Sequence, residues 1–395
     1  MNILVIHETE YVKKVVYEFQ IIPELLASNG HRVFVIDYPM AWKKSNLFDL
    51  GSFKTEYYLN VKKANKKKGV TLIRPGIIKI PGISRLFAFF SYFSLIKKTI
   101  KKYKINQIIL YSVPTNGLQT LYYAKKYKIP VHFRMLDVLH QLVPSKLLSW
   151  PTYLMEKYIY KRVTEITAIT PRLVKYAIKM GGDPKTTSYL PTGSDADLFF
   201  PQKKNIDLIE KFWIKKQDNV VLFAGTLYNF SGLDILIKYL GENPKLKRNL
   251  KMIIVGHGEQ EGLLKKMIKE YNLDKNVFLT GFIDYLELNT YINLADICIN
   301  SFQKNNITNI IFPSKIYQYL ACGKPVVATK LKGLLELFPV GNKNVYYFNL
   351  KKPGEFFYLI HKIKHQKINI KNQSLQKIMT VIEEKLEQVN RRVGN

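Results

Sequence analysis

Residues 3–7 (ILVIH) form an almost wholly apolar run, the pattern of a strand buried on both faces. An amphipathic stretch follows near 15–27, then Gly30, then a second apolar run, 31–36 (HRVFVI). Strand, helix, glycine stop and strand predict a βαβ unit in a parallel sheet. The alternation continues with a strand over 107–111, a helix over 117–127, a strand over 131–135 and a short strand over 164–170 (TEITAIT). Pro171 and Arg172 open the next helix. Residues 191–205 (PTGSDADLFFPQKKN) carry neither period and are rich in turn formers, so a domain boundary is expected there.

A second series then begins. Strands are predicted over 220–223, 251–255, 277–279, 297–299 and 326–328, with helices over 232–240, 259–271 and 315–322 between them. A polar amphipathic helix over 377–389 ends the series. The pattern predicts an α/β chain of two Rossmann-like doubly wound domains, 1–200 and 201–375. A C-terminal helix, 376–395, is expected to pack back on the first. Two such sheets facing a cleft would bind a ligand at the carboxyl ends of their strands.

Composition narrows the function. Of 395 residues, 47% are hydrophobic and 23% charged, which excludes global disorder. The two cysteines, Cys298 and Cys322, exclude a disulfide scaffold and a Cys-based zinc site and fit a reducing, cytoplasmic compartment. Residues 1–7 lack a basic leader and Glu8 follows at once, so no secretory signal is expected. The apolar block 86–96 (LFAFFSYFSLI) has eleven residues, short of the roughly 20 that span a bilayer.

The net charge is +31, and residues 54–104 hold fourteen Lys or Arg against one acid, Glu56. Lysine on any solvated face accounts for much of the global excess, though poorly for this cluster. Nucleic acid is not the expected partner, because Arg is scarce and no nucleic-acid-binding signature is present. An anionic membrane surface needs only charge. In the cluster, Arg85 and the aromatic block 86–96 lead directly into Lys97, Lys98, Lys101, Lys102 and Lys104. That order suits a helix lying in the interface, and equally a core helix whose lysines complement its dipole. The expected location is the inner face of the cell membrane, peripherally.

The stretch 312–329 (FPSKIYQYLACGKPVVAT) is the most specific. Pro313 disfavours helix before it, Ser314 is a natural N-cap, and Gly323 stops the helix. The helix mouth then offers free N–H groups and Lys315 to a phosphate; an ordinary capped helix has the same pattern.

This stretch resembles the P-x-K-x-x-E-Y-M-A-x-G-K-P-V-I segment of GT-B glycosyltransferases, specifically the retaining family 4 group. Four further segments are similar and in family order. They are 191–195 (PTGSD) with Phe199, 223–227 (FAGTL) followed by Gly232-Leu233-Asp234, 254–258 (IVGHG) and 276–281 (NVFLTG). The resemblance covers the second domain almost entirely and the first loosely. It implies a retaining, metal-independent transfer of sugar from a nucleotide-sugar donor, with no cofactor. It also implies a lipid-linked or cell-surface glycan acceptor entering over the basic face of the first domain. By the same resemblance the donor meets Gly225, Thr226, Gly256, Gly258, Pro313, Ser314, Lys315 and Gln318, while Asp137 or His140 orients the transferred sugar.

The departures are specific. Gln318 stands where the family has a glutamate, and Ile310 where it has another, leaving that role to Asn306, Thr308 or Asn309. Thr226 and Ser231 replace the Arg and Lys that clamp the diphosphate. Leu136-Asp137 replaces a His-Asp pair, with His132, Arg134 and His140 nearby, and His7-Glu8-Thr9-Glu10 replaces a Gly-Gly loop. Lys315, Arg134 and His140 are the candidates to take over the lost charges. A catalytically degenerate scaffold or binding subunit of the same fold is one alternative, and a basic nucleic-acid-binding protein is the other.

Overall fold

The structure is a computed structural model that describes residues 1–13, 15–38, 51–80, 84–143, 145–305, 308–309, 311–363 and 374–394. The chain divides into two compact units, 1–191 together with 377–395, and 192–376.

The first unit runs β1 (Asn2–Ile6), α1 (Glu18–Ser28), β2 (Arg32–Ile36), β3 (Glu56–Val61), β4 (Val70–Arg74), α2 (Ser84–Tyr103) and β5 (Gln107–Leu110). It continues with α3 (Gly117–Tyr127), β6 (Val131–Met135), a 3₁₀ turn (Leu139–Leu142), α4 (Lys146–Tyr160), β7 (Glu165–Ala168), α5 (Pro171–Lys179) and β8 (Thr187–Tyr189). The sheet order is β3-β4-β2-β1-β5-β6-β7-β8. All pairings are parallel except that of β3, which lies antiparallel on β4 at the edge. β1 is central, with Val5 opposite Val35 on one side and Ile109 on the other. Ile3, Leu4, Val5 and Ile6 are fully buried, each contributing about 1.5–3 kcal/mol of apolar burial. That explains the unbroken apolar run at the start of the chain.

The second unit begins with α6 (Ile206–Lys211), β9 (Asn219–Ala224), α7 (Leu233–Glu242), α8 (Pro244–Lys247), β10 (Leu250–Val255), α9 (Glu261–Glu270) and β11 (Val277–Gly281). There follow α10 (Leu288–Leu294), β12 (Ile297–Asn300), α11 (Lys315–Ala321), β13 (Val326–Thr329), α12 (Lys332–Leu337), β14 (Val345–Phe348) and α13 (Gly354–Ile363). Its six strands are parallel in the order β11-β10-β9-β12-β13-β14. Residues 192–205 are tied to this unit: Phe200 N–H donates to Asn289 Oδ1, Gln202 N–H to Asn293 Oδ1, and Lys204 pairs with Asp296.

The last helix, α14 (Leu375–Gly394), lies in the first unit from Lys377 onward. Its Glu383 accepts from Asn29 and bonds His31, and its Lys385 pairs with Glu165 of β7. Both sheets are doubly wound, and the strand order reverses between β1 and β5 in the first and between β9 and β12 in the second. Ligand crevices in such sheets lie at the carboxyl ends of the strands at these reversals. No described helix is long and apolar enough to cross a membrane.

Candidate functional site

Beside the reversal point of the second sheet, β9 and β10 end in glycine turns that pack backbone to backbone. Gly225 N–H donates to Val255 O, Gly256 N–H to Gly281 O, and Leu227 N–H to His257 O. Gly225 and Gly256 have φ of +142° and +132°, a region that L side chains rarely enter. A Cβ on Gly256 would lie 2.0 Å from Gly225 O, and one on Gly258 2.4 Å from Leu227 O. Gly256 and Gly258 are therefore required by the closeness of the two turns. On the other side of β9, a Cβ on Gly232 would lie 2.2 Å from Ser301 O, and Ser301 Oγ donates to Ser231 O. Helix α11 lies against this edge: Tyr319, fully buried, accepts from Ala224 N–H and donates to Ala224 O through its hydroxyl.

Lys315 runs inward from the start of α11. Its Nζ sits 3.5 Å from the Phe223 ring centre and 4.5 Å from that of Phe302. It is also 3.7 Å from where a Gly225 Cβ would stand. The amine is buried with no hydrogen-bond partner, and burial pushes it well below the ordinary lysine value, weakly opposed by Cys298. Ser231 Oγ and both side-chain polar atoms of Asn300 are likewise buried without partners. Buried polar groups are nearly always paired, so this set marks an edge built to receive polar atoms.

The other donor-side candidates fall around it. Thr226 follows Gly225 and is half-buried, and Pro313 is buried at the entrance to α11. The Gln318 side chain donates to the Tyr285 hydroxyl at 3.2 Å, which leaves its carbonyl oxygen to accept. Ser314 does not cap the helix as expected. Its φ and ψ, −56° and −26°, are already helical, and its side chain makes no cap bond; an N-cap hydroxyl reaches the first turn from an extended residue. Thr308 is buried and bonds Asn305 and Gln303 O, and Asn309 accepts from Lys332 N–H. Asn306 and Ile310 lie outside the described residues. A separate surface depression of about 570 Å³, lined by Lys330, Tyr346, Tyr347 and Leu359 among others, holds none of these candidates.

In the first unit Asp137 follows β6 and is half-buried, and burial pushes its carboxyl up to about 6. His140, in the 3₁₀ turn, is committed elsewhere: its Nδ1 lies 2.6 Å from Glu156 Oε2 and 3.1 Å from the Tyr176 hydroxyl. Arg134 and His132 are not free to replace lost charges. Arg134 is buried in a two-pronged pair with Glu18 and also bonds Leu190 O and Pro191 O. His132 is buried between Thr167 and Glu165, with its pKa lowered chiefly by desolvation. At the β1 end, Glu8 accepts from Thr115 N–H and pairs with Arg85, while Arg74 bridges Glu10 and Asp37. Arg85 thus joins the β1 terminus, whereas Lys97, Lys98, Lys101, Lys102 and Lys104 stand exposed along and just after α2. The Glu8, Glu10, Asp37 and Arg74 constellation carried no pattern in the sequence, since it unites three separate strand ends.

Residues 205–374 match the family model described as glycosyl transferases group 1. An uncharacterized glycosyltransferase of Methanocaldococcus jannaschii is 27% identical over 182 residues, 46% of this chain and 44% of that protein. The alpha-monoglucosyldiacylglycerol synthase of Acholeplasma laidlawii is 22% identical, covering 73% of this chain and 75% of that one. The match thus spans less than half of the first relative and three quarters of the second. Among solved structures, Anabaena HepE in complex with UDP and glucose superposes with a TM-score of 0.68 at 16% identity, over 98% of this chain and 99% of that one. The chain has the two-domain α/β fold of GT-B glycosyltransferases, and its second unit is similar to the glycosyl transferases group 1 model.

Proposed function

We propose that the protein transfers a sugar from a nucleotide-sugar donor to a lipid-linked or cell-surface glycan acceptor, with retention and without a metal ion. The observation that carries this is the set of unpartnered buried polar atoms at the carboxyl edge of β9 and β12, with the Lys315 amine among them. A diphosphate brings oxygens that match an orphaned amine, and a charge-assisted bond to it is roughly twice as strong as a neutral one. Lys315 reaches the Gly225 turn from α11, where the family's own Arg and Lys are replaced by Thr226 and Ser231. A protein cation at this point does the work that a metal would otherwise do for the leaving group. Gln318 offers its free carbonyl oxygen to a ribose hydroxyl. In the first unit Asp137, which has no hydrogen-bond partner among the described residues, is the candidate to bond the transferred sugar, and His140 is the weaker one. The name of the Acholeplasma relative, a glucosyldiacylglycerol synthase, supports a lipid acceptor, as does the fold shared with a structure holding UDP and glucose for the donor.

The test is turnover. Purified protein with a panel of nucleotide sugars and a membrane lipid extract should release nucleoside diphosphate in the presence of a metal chelator, with the product keeping the donor's anomeric configuration. Strict dependence on a divalent ion would remove the metal-free reading, and an inverted product would remove retention. Clear donor binding with no transfer to any acceptor would favour a binding scaffold, which the neutral residues at Thr226, Ser231 and Gln318 also suit.

A further inference from the structure

Helices α2, α3 and α4 connect β4 to β5, β5 to β6 and β6 to β7, strands that all run parallel. They therefore run in one sense, with their N-termini at the carboxyl edge of the sheet. Neighbouring members pack on each other, α2 on α3 and α3 on α4, and Phe93 of α2 meets Tyr122 of α3 at 5.4 Å between ring centres.

Their exposed side chains divide along the helix axis. On α2, Leu86, Phe90 and Phe93 are exposed, and Lys97 and Lys101 continue the same stripe at steps of four, one face of a helix. On α3, exposed Tyr122 precedes Lys125 and Lys126. On α4, Leu147 is 83% exposed and Trp150 67%, and Leu154 and Tyr158 extend the stripe toward Lys161 and Arg162. By contrast, α1 and α5 expose no large apolar side chain. The three helices contain a single acid, Glu156, and it is buried under bonds from His140, Tyr160 and Tyr176. The face is thus aromatic at one end, cationic at the other and free of exposed carboxylates.

We propose that the α2–α3–α4 face docks on an anionic lipid bilayer, with Leu147 and Trp150 of α4 entering the acyl boundary and the lysines at the helix ends lying on the headgroups. A protein partner of that size pairs both signs of charge, whereas a negative bilayer calls for cations beside an apolar wedge. The sequence pointed to α2 alone; the α4 stripe is visible only in its exposure. The surface is independent of which sugar is transferred, or of whether any is, so its failure leaves the transferase reading standing.

The experiment is vesicle flotation of the full chain. The wild type should float with vesicles containing phosphatidylglycerol and remain behind with pure phosphatidylcholine. Lys97→Gln with Lys101→Gln should lower partitioning about thirtyfold, since each lysine near an anionic surface is worth about 1 kcal/mol. Leu147→Ser with Trp150→Ser should lose the fraction that resists high salt, by tenfold or more. Tyr358→Ser, an exposed site on α13, should change nothing. Acyl-brominated lipids should quench tryptophan fluorescence in the wild type and much less in Trp150→Phe. All these side chains are exposed, and matched melting temperatures will show that the variants are folded. Equal flotation on neutral and anionic vesicles would overturn the proposal. So would α4 variants that float like the wild type, or a dimer lost on Leu147→Ser in a protein that does not float.

Discussion

Asp137 and Lys315 share a predicament of opposite sign, an ionisable group held where water is scarce. Asp137 has its folded pKa raised from 3.8 to about 6. Between those values the folded chain holds a proton that the unfolded chain has lost, so stability falls as pH rises through the window. Asp137→Asn should therefore stabilise the protein by about 2 kcal/mol above pH 6, because each tenfold change in proton affinity is worth roughly 1.4 kcal/mol, less an allowance for partial exposure. Below about pH 4 it should have no effect. Denaturant melts at both ends of the range measure this, and an equal gain at both would sink the account. Lys315 works the other way: its pKa is lowered, so its burial costs stability at low pH, and stability rises with pH toward the ordinary lysine value. Lys315→Met should raise the melting temperature at neutral pH. It should also weaken nucleoside diphosphate binding about 10- to 100-fold while sparing the bare nucleoside, since a hydrogen bond to a charged group is worth about 1.5–3 kcal/mol. Titration calorimetry with both ligands decides it, and unchanged diphosphate affinity would move the donor away from α11. Lys315 and Gln318 were legible because a sequence motif carries them. Asn300 carries no motif, and Ser231 marks only a lost charge; that both are unpartnered is a property of what surrounds their side chains. Ser314 departs from the sequence expectation for a related reason, since a good capping residue caps only from an extended backbone.

At the level of elements, the strands buried on both faces were plain in the sequence. β1, β9, β10 and β13 are short, mostly apolar runs, and the parallel sheet leaves them no polar face. The edges were not. β3 is exposed along nearly its whole length, so no alternation separates it from a loop, and β8 has only three residues. Helix α4 leaves no clear sequence signal because Pro151 sits inside it and its apolar side chains face outward as well as inward, which erases the one-sided stripe that marks an amphipathic helix. The glycine turns were read as ligand-facing, and the structure gives them a mechanical role as well. Gly256→Ala would place a Cβ 2.0 Å from Gly225 O at a φ of +132°, so the β9 and β10 turns must separate. A loss of about 3 kcal/mol or more is expected, among the larger single-site effects. Gly262, in the first turn of α9, has nothing within 4 Å of its would-be Cβ, and Gly262→Ala should instead gain about 0.5–1 kcal/mol. Urea midpoints for the two variants test the pair together, and a tolerated Gly256→Ala would mean that the turns are looser than this packing.

On the scale of the whole molecule, the positive charge and the chain terminus each acquire a structural meaning. Helices α2 to α4 carry eight lysines and Arg85 against the single acid Glu156, so part of a bulk property of the composition becomes a directional one. The chain's end returns to the first unit, and α14 completes that unit's core. Beyond Gln376 it buries Ile378, Met379, Ile382, Leu386 and Val389. At about 1.5–3 kcal/mol each these amount to roughly 7–15 kcal/mol as an upper limit, comparable with the entire net stability of an ordinary domain, about 5–15 kcal/mol. Removing α14 also strips Lys385 from Glu165, whose pKa is held low by His132 and Lys385 against its burial, and so leaves a largely buried carboxylate short of a cation. A chain ending at Gln376 should therefore lose the first unit while keeping the second, whose β9–β14 sheet draws nothing from residues after 376. Hydrogen exchange reads the two separately. Amides of β1, β5 and β6 should exchange fast in the truncated chain, and those of β9, β10 and β12 should stay protected. Lys385→Met, which keeps the apolar face of α14, should leave both sheets protected and only lower the first unit's melting point. Full protection of β1 and β5 in the truncated chain would show that α14 is an appendage and that the first unit's core closes without it.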